Sequence, residues 1–183
     1  GALLGDGTIN GKNIKIASDD IEIINKILSD LNIKWVDDFE VTKDTSNNNY
    51  ILKLKDRNKY LDTYDENSKY GCNPLKKELE LLNINVKCEE KFIPDIYKYS
   101  SIEQRLELVK GLMDIDGSIT EQGYCEFTNK SKKLIDDLAY VLRSLGIYCS
   151  IGEDNRIGEE HTIKKEGKKG ITFNRGTCYR LYI

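Results

Sequence analysis

Two aspartates of this 183-residue chain stand in the same local setting. Asp6 closes GALLGDGTI and Asp116 closes GLMDIDGSI, so the pattern Gly-x-x-x-x-Asp-Gly-(Ser/Thr)-Ile is written twice, 110 positions apart. No other Asp-Gly dipeptide occurs in the sequence. Taken singly, an Asp-Gly after an apolar helix is an ordinary helix end, with glycine in the left-handed position just past the last turn. The pair reads differently. A carboxylate at a helix C-terminus is at the unfavourable end of the helix dipole, and placing one there twice suggests that something positive is bound. Gly1 and Gly5 share one helix stripe at i, i+4, and Gly111 is the counterpart of Gly1. Such small residues let two helix backbones approach closely. If the two motif helices pack side by side, Asp6 and Asp116 arrive together. Two carboxylates with water and phosphate oxygens would form a hard-oxygen site suited to Mg2+ or Mn2+. The chemistry such a site suits is metal-assisted phosphodiester hydrolysis.

Other chemistries are poorly supplied. The one histidine, His161, lies in a polar stretch, which argues against a histidine triad or a multi-histidine metal site. The five cysteines, at 72, 88, 125, 149 and 178, include no Cys-x-x-Cys pair. Their odd number points to reduced thiols in an intracellular, cytoplasmic protein. No apolar run of about 18 residues offers a membrane span, and nothing at the start looks like a signal peptide. The net charge of −3 and pI near 5.4 are unusual for a nucleic-acid protein. The distribution is more informative. Residues 1–40 carry four lysines against eight acids, whereas residues 156–183 carry seven lysines and arginines against three glutamates.

The elements that must position the two aspartates also recur. After the first motif come an alternating strand (Ile14, Ile16) and a helix with Ser18 as its expected N-cap and Asp19 and Asp20 in its first turn. Two strand-like runs, KWVDDFEVTK and YILKLKDR, and a helix beginning at Pro74 follow. KFIPDIY reads as an extended link, and SSIEQRLELVKGLMDIDG as a capped amphipathic helix ending at the second Asp-Gly. The order then repeats through GYCEFTN, SKKLIDDLAYVLRSLGI, YCSIGED and ITFNRGTCYRLYI. Aligning the ends of the two long helices gives an offset of 114 against 110 at the motifs, which predicts a second-half hairpin four residues longer. The expected architecture is an α+β duplication of two pseudo-symmetric αββαββα repeats, 1–95 and 96–183, together one domain. Both copies are incomplete, the first at its start and the second after residue 183, so the chain reads as a piece of a longer polypeptide.

GALLGDG and LVKGLMDIDG resemble the paired motifs of the LAGLIDADG (dodecapeptide) homing endonucleases. KFIP, with Lys91 placed 25 residues before Asp116, is similar to the Lys-x-Ile-Pro block of intein-borne members. EQRLELVKGLMDIDG and EFTNKSKKLIDDLAYVLRSLGI resemble the next two blocks. The resemblance implies a monomeric, site-specific double-strand DNA endonuclease. Asp6 and Asp116 would be the catalytic metal-binding pair, with the backbone at Gly5 and Ile115 beside the metal. Lys91 would polarise the attacking water or neutralise phosphate charge. Asn129, Lys130, Ser131 and Asp19 are secondary active-site candidates, and Gly1, Gly5 and Gly111 form the helix interface. Ile115 stands where the family has a small residue, so looser or shifted packing is expected there.

The resemblance also implies that the hairpins form an antiparallel saddle for the DNA major groove. Strand alternation puts Lys53, Lys55 and Arg57 on one face. Lys12, Lys15, Lys34 and Lys43 join them in the first half, and Arg156, Lys164, Lys165, Lys168, Lys169, Asn174, Arg175 and Arg180 in the second. The acidic stretches 19–22 and 37–40 are expected away from DNA, and the target should be long and asymmetric because the halves differ. The alternative is a degenerate DNA binder or an RNA maturase of the same fold. Neither an N-terminal splicing nucleophile block nor a terminal His-Asn pair stands within these residues, so protein splicing is not read from them.

Overall fold

A computed structural model describes residues 1–9, 13–18, 20–35, 37–44, 49–63, 73–154, 160–163, 171–174 and 177–183. The first half runs α1 (Ala2–Gly5), β1 (Gly7–Thr8), β2 (Ile14–Ala17), α2 (Ile21–Lys34), β3 (Phe39–Lys43), β4 (Asn49–Leu54), a 3-10 segment (Asn58–Thr63) and α3 (Pro74–Leu81). A 3-10 turn (Cys88–Glu90) and α4 (Asp95–Lys98) lead into the second half. That half runs α5 (Ile102–Asp116), β5 (Gly117–Ile119), β6 (Cys125–Asn129), α6 (Lys132–Ser144), β7 (Ser150–Asp154), β8 (Glu160–Ile163), β9 (Ile171–Asn174) and β10 (Cys178–Tyr182).

The duplication is realised in the sheets. One has strand order β1-β2-β4-β3 and the other β5-β6-β10-β7, with every pairing antiparallel. Thus β10 takes the place of β4, and the pair β8–β9 is an insertion between β7 and β10. Alternation decides which side each residue serves. Ile14, Ile16, Tyr50 and Leu52 are buried beneath the first sheet, and Phe127 and Leu181 beneath the second. Helices α2 and α6 cover those buried faces. Ile24 of α2 and Leu134, Ile135, Leu138 and Leu142 of α6 are almost wholly excluded from water.

Several local expectations change. The N-cap of α2 is Asp20, whose carboxylate accepts the Glu22 N–H at 2.8 Å. Ser18 instead accepts the Asp20 N–H at 3.1 Å, one step outside the cap. Register also corrects the repeat alignment. Gly7 faces Ile16 and Gly117 faces Phe127, and the caps are Asp20 and Ser131. The offset is therefore 111 at the helix starts, and the first hairpin of the second half is longer by one residue, not four. Ile24 corresponds to Ile135 and Leu31 to Leu142, so the offset of 114 overshot the helix alignment by three residues. The KFIPDIY link contains the short helix α4.

The motif glycines act through space rather than through a left-handed backbone. Gly117 has φ −76°, and Gly7 is not among the positive-φ glycines. A Cβ on Gly7 would sit 2.3 Å from the Leu3 carbonyl oxygen, and one on Gly117 2.4 Å from that of Met113. Between the helices, a Cβ on Gly1 would lie 2.6 Å from the Gly111 carbonyl carbon, and one on Gly111 3.2 Å from the Gly1 Cα. The backbones of α1 and α5 touch there. Gly111→Val should push the helices apart and lower stability by about 1–3 kcal/mol, measured by urea denaturation; an unchanged midpoint would mean that the close approach carries no energy.

Candidate functional site

Because α1 and α5 meet at their glycines, their C-terminal ends emerge together. A Cβ on Gly5 would lie 3.2 Å from Asp116 Oδ2 and 3.1 Å from Ile115 Cγ2. The bulk of Ile115 is thus accommodated by its smaller counterpart Gly5, and packing there is tight rather than loose. Asp116 is partly buried. Desolvation raises its pKa to about 6, with the Asp6 carboxylate as the next contribution, while Lys91 and the Asn129 amide pull it down. Asp6 opens onto a cleft of about 390 Å³ that Ser18, Asp20 and Asp114 also line. Loss of hydration raises its pKa as well, against the opposing charge of Lys91.

Lys91 is the cation of this site. It is 4% exposed, and its ammonium donates to the Gly5 carbonyl. Desolvation lowers its pKa, while Cys88, Asp116 and Asp6 work in the other direction. Its backbone is fastened to α6. Ser131 Oγ donates to the Lys91 carbonyl at 2.5 Å and accepts the Leu134 N–H at 3.1 Å as the helix cap. Two residues along, the Ile93 N–H donates to Asp137 Oδ2 at 3.0 Å.

Among the secondary candidates, Asn129 reaches Asp116 Oδ2 at 3.4 Å, and its own oxygen accepts the Ser131 N–H at 3.0 Å. Ser131 is fully buried and turned toward the backbone of the strap at residues 91–94 that carries Lys91. Lys130 is exposed at the rim, close enough for its charge to act on Cys88. Asp19 lies outside the described residues. Sequence reasoning passed over Cys88 and Asp137. Burial pushes the Cys88 thiol up, and the charges of Lys91 and Asp116 both reach it. Asp137 carried a signal: it is a carboxylate among the apolar positions Leu134, Leu138 and Val141 of α6, and is 4% exposed.

The donor set fits a hard divalent cation. It consists of two carboxylates with raised proton affinity and little hydrogen bonding of their own. Among the described residues no group of three His, Cys, Asp or Glu side chains could hold a metal. The remaining ligands would therefore be backbone carbonyls, water and substrate oxygens, the partial coordination that Mg2+ commonly accepts.

The basic candidates divide by register. Lys15 and Lys53 lie on the open face of the first sheet; Lys15 pairs with Asp44 at 3.1 Å. Lys55 and Arg57 follow β4 in exposed positions, and Lys43 stands over the Tyr50 ring at 5.4 Å. Arg180 is on the open face of the second sheet, paired with Glu126 at 3.2 Å. Lys34 departs from expectation. It ends α2 in the helical layer, held by Glu78 at 2.5 Å and lying over the Trp35 ring. Glu40 also departs, since it faces Lys53 directly across the open sheet face. Lys12, Arg156, Lys164, Lys165, Lys168, Lys169 and Arg175 lie outside the described residues, and Asn174 is described only as the end of β9. Cys88, Cys125, Cys149 and Cys178 are free thiols, whereas Cys72 lies outside the described residues. Among the described residues no helix is long and apolar enough to cross a membrane.

Residues 103–181 match the family model described as a LAGLIDADG-like domain. A 59-residue stretch is 41% identical to the replicative DNA helicase DnaB of Mycobacterium intracellulare, covering 32% of this chain and 10% of the helicase. The chain thus matches about a tenth of the length of that curated relative. Among solved structures, mesophilic variants from the homing endonuclease I-DmoI superpose with TM-score 0.57 at 13% identity, over 99% of this chain and 83% of theirs. An I-DmoI variant in complex with its target DNA and manganese gives TM-score 0.54 at 13% identity, over 93% of this chain and 71% of that one. At this identity the likeness establishes the fold.

The raised pKa of Asp116 has a signed consequence. Folded protein holds a proton that the unfolded chain has released, so metal-free stability falls as pH rises from the ordinary carboxylate range to about 6. Asp116→Asn should therefore be more stable than wild type at pH 7, by about 1 kcal/mol after solvent screening, and no more stable at pH 3.5. Thermal denaturation at the two pH values checks this, and an equal effect at both would refute it.

Proposed function

We propose that this chain, whose residues 103–181 match a LAGLIDADG-like domain, is a homing endonuclease: a site-specific double-strand DNA endonuclease using a divalent metal held by Asp6 and Asp116. The observation that carries this reading is the meeting of the two motif ends under the Lys91 ammonium. A divalent ion bound there would activate water and stabilise the leaving oxygen of the phosphodiester. The residues themselves supply the remainder. Burial raises the proton affinity of both carboxylates, and Asp116 becomes available as an anionic oxygen donor above a pH of about 6. Lys91, with its lowered pKa, orients solvent or offsets phosphate charge beside them. The Asn129 amide donates to Asp116 Oδ2 and steadies that carboxylate.

The two sheets supply a DNA platform. Lys15, Lys53 and Arg180 on the open faces suit phosphates and base edges. Glu40 stands opposite Lys53 and Glu126 pairs with Arg180 at 3.2 Å, so DNA phosphates would compete with these carboxylates for the two cations. Structures of I-DmoI with its target DNA, in the presence of manganese or magnesium, support both partners by analogy. The 41% match confined to a tenth of a replicative helicase supports an element carried within a host protein, and so an intein-borne nuclease.

The test is cleavage of a supercoiled plasmid library of candidate sites with Mg2+ or Mn2+. Linear product should appear and be suppressed roughly 10²–10³-fold in Asp6→Asn and in Asp116→Asn, with DNA binding retained in a gel-shift assay. Binding without any cleavage across the library would instead identify a non-catalytic binder of the same fold.

A further inference from the structure

The strap carrying Lys91 is stitched to α6 at two points. Ser131 holds the Lys91 carbonyl at 2.5 Å, and Asp137 holds the Ile93 N–H at 3.0 Å. Asp137 is an unusual helix residue. It lies on the buried side of α6 at 4% exposure, and its second oxygen accepts from Lys98 of α4 at 3.1 Å and from Lys133 of its own helix. One carboxylate therefore joins the strap, the following helix and α6. A buried carboxylate is costly unless each lone pair is satisfied, and here three donors from three elements satisfy it. Ile93, between the active-site lysine and Pro94, is fully excluded from water. Among the described residues the strap has no sheet partner; these two side-chain bonds and the seating of Ile93 set its height over the motif helices.

We propose that Asp137 is a positioning residue for Lys91, fixing the strap so that the ammonium meets the Gly5 carbonyl beside the two motif aspartates. This rests on the nuclease reading for its catalytic consequence, but the clamp itself can be measured without cleavage. Lys91 and Lys76 are equally buried, each 4% exposed, but Lys76 sits on α3 rather than on the segment that Asp137 holds. Lys76 is therefore an internal control for general loosening.

The experiment is amine acylation with an activated ester, read residue by residue by peptide mass spectrometry. In Asp137→Ala, Lys91 should be labelled about tenfold faster than in wild type while Lys76 is unchanged, as local release of the strap requires. Asp137→Asn keeps an oxygen for the Ile93 N–H and should restore most of the protection. Should the alanine variant not fold, Asp137→Met fills the buried space without an acceptor for that N–H and is compared with Asp137→Asn in the same way. Protection of Lys91 in Asp137→Ala, labelling of Lys76 in step with Lys91, or no recovery in Asp137→Asn would each overturn the proposal. In cleavage assays, Asp137→Ala should lose roughly 10–100-fold in rate, as small misplacements near reacting groups do, with DNA affinity unchanged. An equal loss in affinity would assign Asp137 to general structure. A wild type that binds but never cuts would remove the nuclease reading, and the acylation comparison would still decide the clamp.

Discussion

The backbone contact between Gly1 and Gly111 is the constraint on which the rest of the molecule depends. Two helices bearing side chains at those points would stand some ångströms further apart, since each Cβ would lie within 3.2 Å of the opposite main chain. At that greater separation their C-terminal carboxylates would be ordinary, hydrated and independent. Close packing converts them into a pair. It strips water from Asp116, brings the Asp6 charge onto it, and draws both within reach of one buried lysine. The same contact joins the two halves, so the site lies on the seam and neither repeat contains it alone.

Around that seam the layers have separate duties. Helices α2 and α6 use their apolar sides to hold the sheets, leaving the opposite sheet faces open. The start of α6 does a second job: its cap, Ser131, and a residue two turns on, Asp137, anchor the strap that brings Lys91 into the seam. The surroundings of the two aspartates therefore differ. Asp116 is flanked by Asn129 and the anchored strap, whereas Asp6 opens to a cleft lined by Ser18, Asp20 and Asp114. The pseudo-symmetry of the backbone is not carried through to the chemistry.

Much of this was legible in the sequence because it repeats. One Asp-Gly would have been a turn; two with matching glycines implied packed helices, and a Cβ on Gly5 would lie 3.2 Å from Asp116 Oδ2. Alternation in β2 and β4 assigned their buried faces correctly. What escaped was set by contacts distant in the chain. Asp137 stands on the apolar side of its helix without an evident reason until the Ile93 N–H, 44 positions away, is seen to need an acceptor. Lys34 reads as a basic candidate until Glu78 takes it. The repeat offset was misjudged because helix ends carry weaker signals than caps and strand register. Gly7 and Gly117 also provide steric room, against the Leu3 and Met113 carbonyls, and the left-handed turn that a lone Asp-Gly suggests is absent.

The central claim is that the two motif aspartates act as one cation site. Paramagnetic broadening of backbone amide signals during a manganese titration tests it most directly. Amides of residues 5–7 and 115–117 should broaden together, at the lowest manganese concentrations, and Asp6→Asn or Asp116→Asn should weaken the effect at both ends. Broadening at only one motif, or broadening centred first on other acidic positions such as Glu40 and Glu126, would contradict it.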